Sequence, residues 1–168
     1  MGRWRAPTPA ASPYITPAGY HRLQEELDDI WLRRRDVVAA LADAAAEGDR
    51  SENAEYIYRK KELAGLDRRI RYLQKRLPSL NVVRDTPNGE RVFFGATVTL
   101  QSDEDGQRTF RIVGPDEANA AVGDLSLDSP LAQALLGRRL DDVVSVTTDR
   151  RQQSLTITMI NYPDSPDE

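Results

Sequence analysis

The chain has 168 residues, of which 39% are hydrophobic and 30% are charged, a balance typical of a soluble protein with one or two domains. It has no cysteine and one histidine, so disulfides, thiolate metal sites and zinc sites built from several histidines are excluded. No apolar run approaches the roughly 18 residues that a membrane-spanning helix needs. We therefore expect a cytoplasmic protein that has no membrane partner.

Charge is divided unevenly along the chain. Residues 1–83 contain 15 Lys and Arg against 12 Asp and Glu, a net of +3, whereas residues 84–168 contain 8 against 15, a net of −7. Opposite signs in the two halves favour two domains with different partners. We expect domains at 14–83 and 84–163, flanked by flexible tails at 1–13 and 164–168.

The first domain is predicted to be an antiparallel helical hairpin. Thr16 is a suitable N-cap with Pro17 at the first helical position, and Gly48 is suited to ending the first helix. Apolar residues follow at spacings of three and four, with Arg34 as an interruption: Leu23, Leu27, Ile30, Val37, Leu41 and Ala44. The second helix has an uninterrupted heptad series: Leu63, Leu66, Ile70, Leu73, Leu77 and Leu80. Pro78 should end the regular helix near Leu77.

Acidic residues lie at the turn between these two helices. Asp49 and Glu52 are three residues apart, so a helix that began here would place both carboxylates on nearly the same face, where they could share a cation. The same spacing fits a capping box, in which Asp49 accepts a hydrogen bond from a backbone amide and Glu52 reaches back. Spacing alone leaves the cation site and the helix cap both open.

The outward face of the second helix is basic. Lys61, Arg68 and Lys75 recur every seven residues, and Arg59 and Lys60 lie beside them. One interpretation is a solvated helix face, because charged residues normally occupy the outer positions of a coiled coil. The other is a surface that follows the phosphates of a nucleic acid, and the excess of basic over acidic residues favours it.

The second domain is predicted to be an antiparallel sheet with one short helix, so the whole chain is α+β. Ser129 is a suitable N-cap, Pro130 fits the first helical position, and Gly137 would end a helix over 131–136. Alternating apolar residues predict five strands, at 92–100, 108–113, 125–127, 142–148 and 154–160.

The chain lacks the patterns of a self-contained enzyme. It has no glycine-rich phosphate loop and no constellation of Ser, His and Asp that pattern alone would reveal. We therefore expect that it is not an enzyme and holds no cofactor by itself. Any chemistry would come from groups that it contributes to a partner.

Three motifs stand in a recognisable order and spacing: GDRSENAEY at 48–56, LDRRIRYL at 66–73 and LDSPLA at 127–132. With these motifs the chain resembles the bacterial Gre transcript cleavage factors over about residues 14–162. RKK at 59–61 and FFGA at 93–96 make it more similar to GreB than to GreA. The resemblance implies an N-terminal coiled-coil hairpin and a C-terminal domain with an FKBP-like fold.

The resemblance also implies a partner and a chemistry. Such a factor binds RNA polymerase, inserts its tip through the secondary channel and stimulates cleavage of nascent RNA in backtracked complexes. Asp49 and Glu52 would be the catalytic carboxylates, and they would hold Mg²⁺ only together with the polymerase active centre. Mg²⁺ accepts one or two carboxylates while it keeps several waters, which suits such a shared site. We expect the factor to be a monomer.

Further positions follow from the same motifs. Residues that would support the tip are Asn53, Glu55 and Tyr56. Residues that would dock on the polymerase, and that also fit a helix cap, are Asp128, Ser129 and Pro130. Residues of the basic face that would contact RNA are Arg59, Lys60, Lys61, Arg68 and Lys75.

Two alternative functions stay open. A polymerase-binding inhibitor on the same scaffold would enter the channel without promoting cleavage, but the intact Asp49 and Glu52 argue against it. A coiled-coil scaffolding or nucleic-acid-binding protein, with DNA as a possible ligand, is supported by the basic face alone. Salt-sensitive binding to free RNA without polymerase would favour this second alternative.

Overall fold

The computed structural model describes residues 10–47, 53–148 and 151–163. They form an α+β structure that divides into two compact units. One unit is Tyr20–Leu80, which is helical. The other contains the residues through Gly19 together with those from Asn81 onward, and it holds the sheet.

The helices begin and end close to the predicted positions. Helix α1 spans Pro17–Ala46, and the hydroxyl oxygen of Thr16 caps it by accepting a hydrogen bond from the Gly19 amide at 3.0 Å. Helix α2 spans Ala54–Arg76 and passes into a 3₁₀ turn, Leu77–Ser79, which contains Pro78. The predicted N-cap of α1 and the predicted end of α2 are therefore confirmed.

The two helices run antiparallel. Three ion pairs, at N–O distances of 2.6–2.7 Å, join the earlier part of α1 to the later part of α2 and the middle of α1 to the middle of α2: Glu26 with Arg69, Arg33 with Glu62, and Arg34 with Asp67. Apolar side chains from both helices are buried at the predicted series: Leu23, Val37, Ala44, Ile70 and Leu73. Arg34, the interruption in the first series, is half-buried and pairs with Asp67, which explains how the seam tolerates it.

The other unit is built on a five-stranded sheet whose strands are β3 (Thr97–Ser102), β4 (Gly106–Val113), β5 (Asp124–Ser126), β6 (Val143–Thr148) and β7 (Arg151–Asn161). Their order across the sheet is β5-β4-β3-β7-β6. Helix α3, Pro130–Leu135, packs Ala132 and Leu135 into the core of this sheet, where they meet apolar residues of the strands: Val98, Leu100, Ile112, Val144 and Ile157.

The prediction of an entirely antiparallel sheet is wrong at one strand. Strand β5 pairs parallel with β4, with Ile112 opposite Leu125. The cause is the connection at 114–123, which carries the chain back along β4 before β5 begins, whereas a tight hairpin would have reversed it. The first strand of the sheet is also shorter than predicted, because Gly95, at φ +84°, lies in a turn and β3 begins at Thr97.

A second, two-stranded sheet was not predicted. Strand β1, Tyr14–Ile15, pairs parallel with β2, Asn81–Val82, and the Asn81 amide donates to the Pro13 carbonyl at 2.7 Å. Strands of two residues have no periodicity that a sequence could reveal. Because of this pairing, residues 14–19 and 81–83 group with the sheet, and Pro13 is hydrogen bonded where a flexible tail was predicted.

The carboxylate of Glu117 fastens the N-terminal segment to the loop after β4. It accepts hydrogen bonds from the Thr16 amide at 2.8 Å, the Thr16 hydroxyl at 2.5 Å and the Gly114 amide at 2.9 Å. The carbonyl oxygen of Tyr14 also approaches Gly114 so closely that a Cβ there would lie 2.0 Å from it. Gly114 is therefore required by backbone packing.

Two glycine substitutions should change stability in opposite directions. Gly114→Ala should lower the free energy of unfolding by about 1–3 kcal/mol, because the new methyl group overlaps the Tyr14 carbonyl. Gly65→Ala should raise it by about 1 kcal/mol, because Gly65 lies inside α2 and the nearest atom, Arg68 Nη2, would be 3.8 Å from the new Cβ. Urea denaturation of both variants measures the difference, and equal stability of the two would contradict the packing described here.

Candidate functional site

Asp49 and Glu52, the two acids of the turn between the helices, lie outside the described residues. Helix α2 begins at Ala54, and its N-cap is Asn53, with φ −83° and ψ 101°. Asn53 and not Asp49 is thus the N-cap of α2, and the cation-site and capping interpretations of Asp49 and Glu52 both lie outside the described residues.

Asn53 links the two helices directly beside this turn. Its side-chain oxygen accepts a hydrogen bond from the Tyr56 amide at 3.1 Å, which caps α2. Its side-chain nitrogen donates to the carbonyl of Ala44, in the last turn of α1, at 2.9 Å. One amide thus satisfies an orphan donor at the start of α2 and also binds a carbonyl in the last turn of α1. These two bonds join the start of α2 to the last turn of α1.

A chain of charges runs from the first turn of α2 to α1. Arg59 pairs with Glu55 at 2.8 Å and with Glu62 at 3.2 Å, and Glu62 also pairs with Arg33 at 2.6 Å. The hydrogen bond that Arg59 donates to Glu55 raises the pKa of Arg59, and the hydrogen bond that Glu62 accepts from Arg33 lowers the pKa of Glu62. Arg59, a predicted RNA ligand, is therefore already paired within its own helix.

The other predicted RNA ligands are differently placed. Lys60, Lys61, Arg68 and Lys75 are exposed, and their side chains have no partner in the part of the chain that the structure describes. The seven-residue spacing therefore presents a row of unneutralised cations along α2. We call Lys61, Arg68 and Lys75 the basic stripe.

The LDSP segment precedes helix α3 in the other unit. The Ser129 hydroxyl oxygen accepts a hydrogen bond from the Ala132 amide at 3.2 Å, so Ser129 is the N-cap, and Pro130 is the first residue of α3. Asp128 is exposed, but its carboxylate accepts hydrogen bonds from the Ser12 amide, at 2.8 Å, and from the Ser12 hydroxyl. The three predicted docking residues are thus adjacent, with Ser12 holding the carboxylate.

Two family models match almost the whole chain. The model described as "Transcription elongation factor, N-terminal" matches residues 13–82, and the model described as "Transcription elongation factor, GreA/GreB, C-term" matches residues 86–162. The chain belongs to the GreA/GreB family of transcription elongation factors. The family predicted from the three sequence motifs is therefore confirmed.

Relatives named GreB are similar over nearly their full length. Transcription elongation factor GreB of Xanthomonas axonopodis pv. citri is 51% identical, over 96% of this chain and 98% of the relative. GreB of Pseudomonas aeruginosa is 48% identical, over 99% of this chain and 100% of the relative. The crystal structure of the GreA factor homolog Gfh1 of Thermus thermophilus is 27% identical, covers 88% of this chain and 97% of that chain, and has a TM-score of 0.41. The two relatives named GreB confirm the predicted similarity to GreB.

Sequence reasoning missed three side chains of this factor. Ser12 was assigned to a flexible tail, and no local pattern connects it with Asp128, which is 116 residues away. Ile57 and Tyr58, in the first turns of α2, are 53% and 59% exposed. Both residues lie outside the leucine series, so the sequence itself already indicated that they would be exposed.

A metal site is not visible in the described parts of either unit. Within residues 10–47, 53–148 and 151–163 there is no group of three or more His, Asp or Glu side chains that could hold a metal ion. The predicted Mg²⁺ ligands, Asp49 and Glu52, are not among those residues. None of the described helices is long and apolar enough to cross a membrane.

The double role of Asn53 predicts a graded response to substitution. Asn53→Ala loses both hydrogen bonds and should lower the free energy of unfolding of the helical unit by about 1–2 kcal/mol. Asn53→Ser retains an acceptor for the Tyr56 amide but loses the donor to Ala44, so its loss should be smaller. Hydrogen exchange at the Tyr56 amide should accelerate in the alanine variant and stay slow in the serine variant. Equal exchange rates in all three proteins would show that Asn53 caps nothing in solution.

Proposed function

We propose that this elongation factor binds RNA polymerase, inserts a coiled-coil hairpin formed by α1 and α2 through the secondary channel, and stimulates cleavage of backtracked nascent RNA. The observation that supports this proposal is the connection at 47–53, which carries Asp49 and Glu52 between two long antiparallel helices. Helix α2 alone has 23 residues, or about 35 Å at a rise of about 1.5 Å per residue. Such a rod can carry two carboxylates into a partner's active centre.

The chemistry of the proposal belongs to the two carboxylates and their support. Mg²⁺ held jointly with the polymerase would activate water and stabilise the leaving oxygen of the phosphodiester. Asp49 and Glu52 would contribute negative charge and oxygen ligands to that ion. Asn53 would hold the ends of α1 and α2 together directly behind them, through its bonds to Ala44 and Tyr56. In this proposal the factor completes the nuclease of the polymerase and is not a nuclease alone.

Docking is assigned to the other unit, for which we propose the FKBP-like fold of the family. Asp128 and Pro130 are exposed at the start of α3, and the Ser129 cap fixes the backbone between them. The Ser12 hydrogen bonds hold the Asp128 carboxylate in one orientation before any partner arrives. A preordered contact of this kind loses less conformational entropy on binding.

Contact with RNA is assigned to the basic stripe and Lys60. Exposed cations without an intramolecular partner are available to phosphates, whereas Arg59 would first have to leave Glu55 and Glu62. Phosphate contacts position a strand without reading its sequence. We therefore infer a smaller contribution to RNA binding from Arg59 than from Lys61, Arg68 or Lys75.

A second candidate function is nucleic-acid binding without polymerase, and the basic stripe is the observation that favours it. Binding of free RNA by the purified factor, with an affinity that falls steeply as salt rises, would support this alternative. Cleavage of backtracked RNA only when cognate polymerase is present would support the primary proposal.

Removal of charge at the tip should abolish the stimulated cleavage. Asp49→Asn and Glu52→Gln keep the shape of each side chain and remove its charge, so each should lower the cleavage rate at least about a hundredfold. Binding to the polymerase should be unchanged. Purified backtracked complexes with cognate polymerase, scored for shortening of the RNA, measure the rate, and a parallel binding assay measures occupancy.

A matched control for the tip variants is Asp43→Asn. Asp43 is an exposed acid in the last turns of α1, so this variant changes the net charge equally but leaves the tip acids intact. It should cleave at the wild-type rate. If the tip variants also cleave at that rate with equal occupancy, the tip does not supply the chemistry.

Docking and chemistry should separate at Asp128. Asp128→Ala should weaken binding to the polymerase about tenfold, and saturating factor should restore the full cleavage rate. The reason is that a docking contact far from the reacting phosphate changes the factor concentration at half-saturation and not the maximal rate. Ser12→Ala removes one of the two donors to the carboxylate and should weaken binding less. Titrations of cleavage rate against factor concentration measure the half-saturating concentration and the maximal rate of each variant. A reduced maximum rate at saturation, or equal effects of the two variants, would argue against direct docking by Asp128.

A further inference from the structure

The unit that holds the sheet contains a cavity that the proposed function does not use. Its volume is about 250 Å³, and it lies among the segment after β1, the chain after β2, strand β4 and the end of β7. The residues that matter for its chemistry are Arg84, Asp85, Phe94, Arg111 and Tyr162. All five of these side chains are charged or aromatic, and all except Asp85 suit an anion with an attached ring.

Arg111 is the anomalous member of this group. It is half-buried on β4, its Nε is fully buried, and this atom has no hydrogen-bond partner. The rest of its guanidinium forms no ion pair with any residue that the structure describes. A buried N–H donor without an acceptor is costly, because its lost hydration is not replaced. An anion in the adjoining cavity would remove that cost.

Nearby carboxylates do not already serve Arg111. Asp124 is its cross-strand neighbour on β5, and Asp85 lines the cavity, yet neither forms an ion pair with it in the described part of the chain. The Glu117 carboxylate is occupied by Thr16 and Gly114. Arg84 adds a second cation to the lining, so the charged lining residues sum to one positive charge.

We propose that this cavity binds the phosphoryl group of a small phosphorylated molecule, with Arg111 as the bidentate donor and Arg84 as the second cation. A guanidinium fork matches two phosphate oxygens, and a phosphoryl group carries more charge than a carboxylate to match two arginines. The volume is below the range of roughly 300–1,000 Å³ typical of drug-sized ligands, which limits the ligand to a phosphate with a small substituent.

The aromatic side chains provide the wall for that substituent. The Tyr162 hydroxyl donates to the Arg91 carbonyl at 2.6 Å and accepts from the Phe93 amide at 2.9 Å, so its ring is fixed in place. Burial raises the pKa of Tyr162, and the phenol therefore stays neutral at pH 7 and does not repel an anion. Phe94 is half-buried beside it in the same lining. Apolar ring surfaces of this kind favour a sugar phosphate over free phosphate.

The test uses the full-length factor labelled with ¹⁵N-arginine, observed by NMR at the Nε–H groups. Inorganic phosphate, added against sodium chloride at matched ionic strength, should shift the Arg111 signal saturably. Ribose 5-phosphate should bind more tightly than inorganic phosphate, because it also contacts the aromatic wall. Absence of a saturable shift with both probes, or an equal shift with chloride, would overturn the proposal.

Variants assign the response to the cavity. Arg111→Lys keeps the charge but loses the planar fork of the guanidinium, and Arg84→Gln removes the second cation. Each of these two variants should weaken phosphate binding about tenfold. Arg108→Gln is the matched control, because Arg108 is exposed on the same strand and outside this lining, and it should bind phosphate as the wild type does. Unchanged affinity in both Arg111→Lys and Arg84→Gln would overturn the proposal. Arg84 is exposed, so its variant should fold even if changes at Arg111 disturb the strand.

Two acidic variants examine the competing explanation, in which Arg111 pairs with a carboxylate in solution. If Asp85→Asn or Asp124→Asn moves the Arg111 Nε–H signal without phosphate, and wild type shows no response to phosphate, then the arginine is already satisfied and no ligand site exists. If the cavity binds phosphate, Asp85→Asn should instead tighten the binding, because it removes a repelling charge from the lining.

Discussion

The antiparallel contact between α1 and α2 is the interaction on which the proposed function depends, because it turns two helices into one rod. Most of the stability of helices in proteins comes from packing of their apolar faces, and here the buried series that includes Val37 and Leu73 supplies that packing. Exposed ion pairs contribute little individually, and the cross-helix pairs of Arg33 and Glu26 act mainly to fix register. Arg34 is different, because it occupies a seam position and needs Asp67 to be tolerated there.

Each unit positions one proposed functional segment by the same physical means, which is to satisfy backbone groups at a helix end. Asn53 caps α2 and binds the last turn of α1 beside the acidic turn. Ser129 caps α3 within the docking segment, and Ser12 holds the neighbouring carboxylate of Asp128. In both places a functional side chain lies next to backbone that is held by side-chain hydrogen bonds. Chemistry and docking can therefore be altered separately, by changes in different units.

Basic residues of this factor differ in function according to their neighbours and not according to their type. Arg59 is neutralised by Glu55 and Glu62, whereas Lys61, a short distance along the same helix, has no partner among the described residues. The Arg111 side chain forms no ion pair with the described residues either, but it is half-buried beside a cavity, which is why we propose a small ligand for it and not a long strand. The sequence alone showed an excess of basic residues on α2 and could not separate these three cases.

What the sequence by itself determined was local: both long helices, the Thr16 and Ser129 caps, the end of α2 at Pro78 and the family motifs. Periodicity, caps and motifs act over a few residues, so they can be read from the chain. Tertiary structure alone decided the parallel pairing of β5, the β1–β2 sheet and the hydrogen bonds of Asn53 at the start of α2. It also decided the contact of Ser12 with Asp128 and the unpaired state of Arg111. Such contacts join positions as far as 116 residues apart, and they exist only because packing brings those positions together.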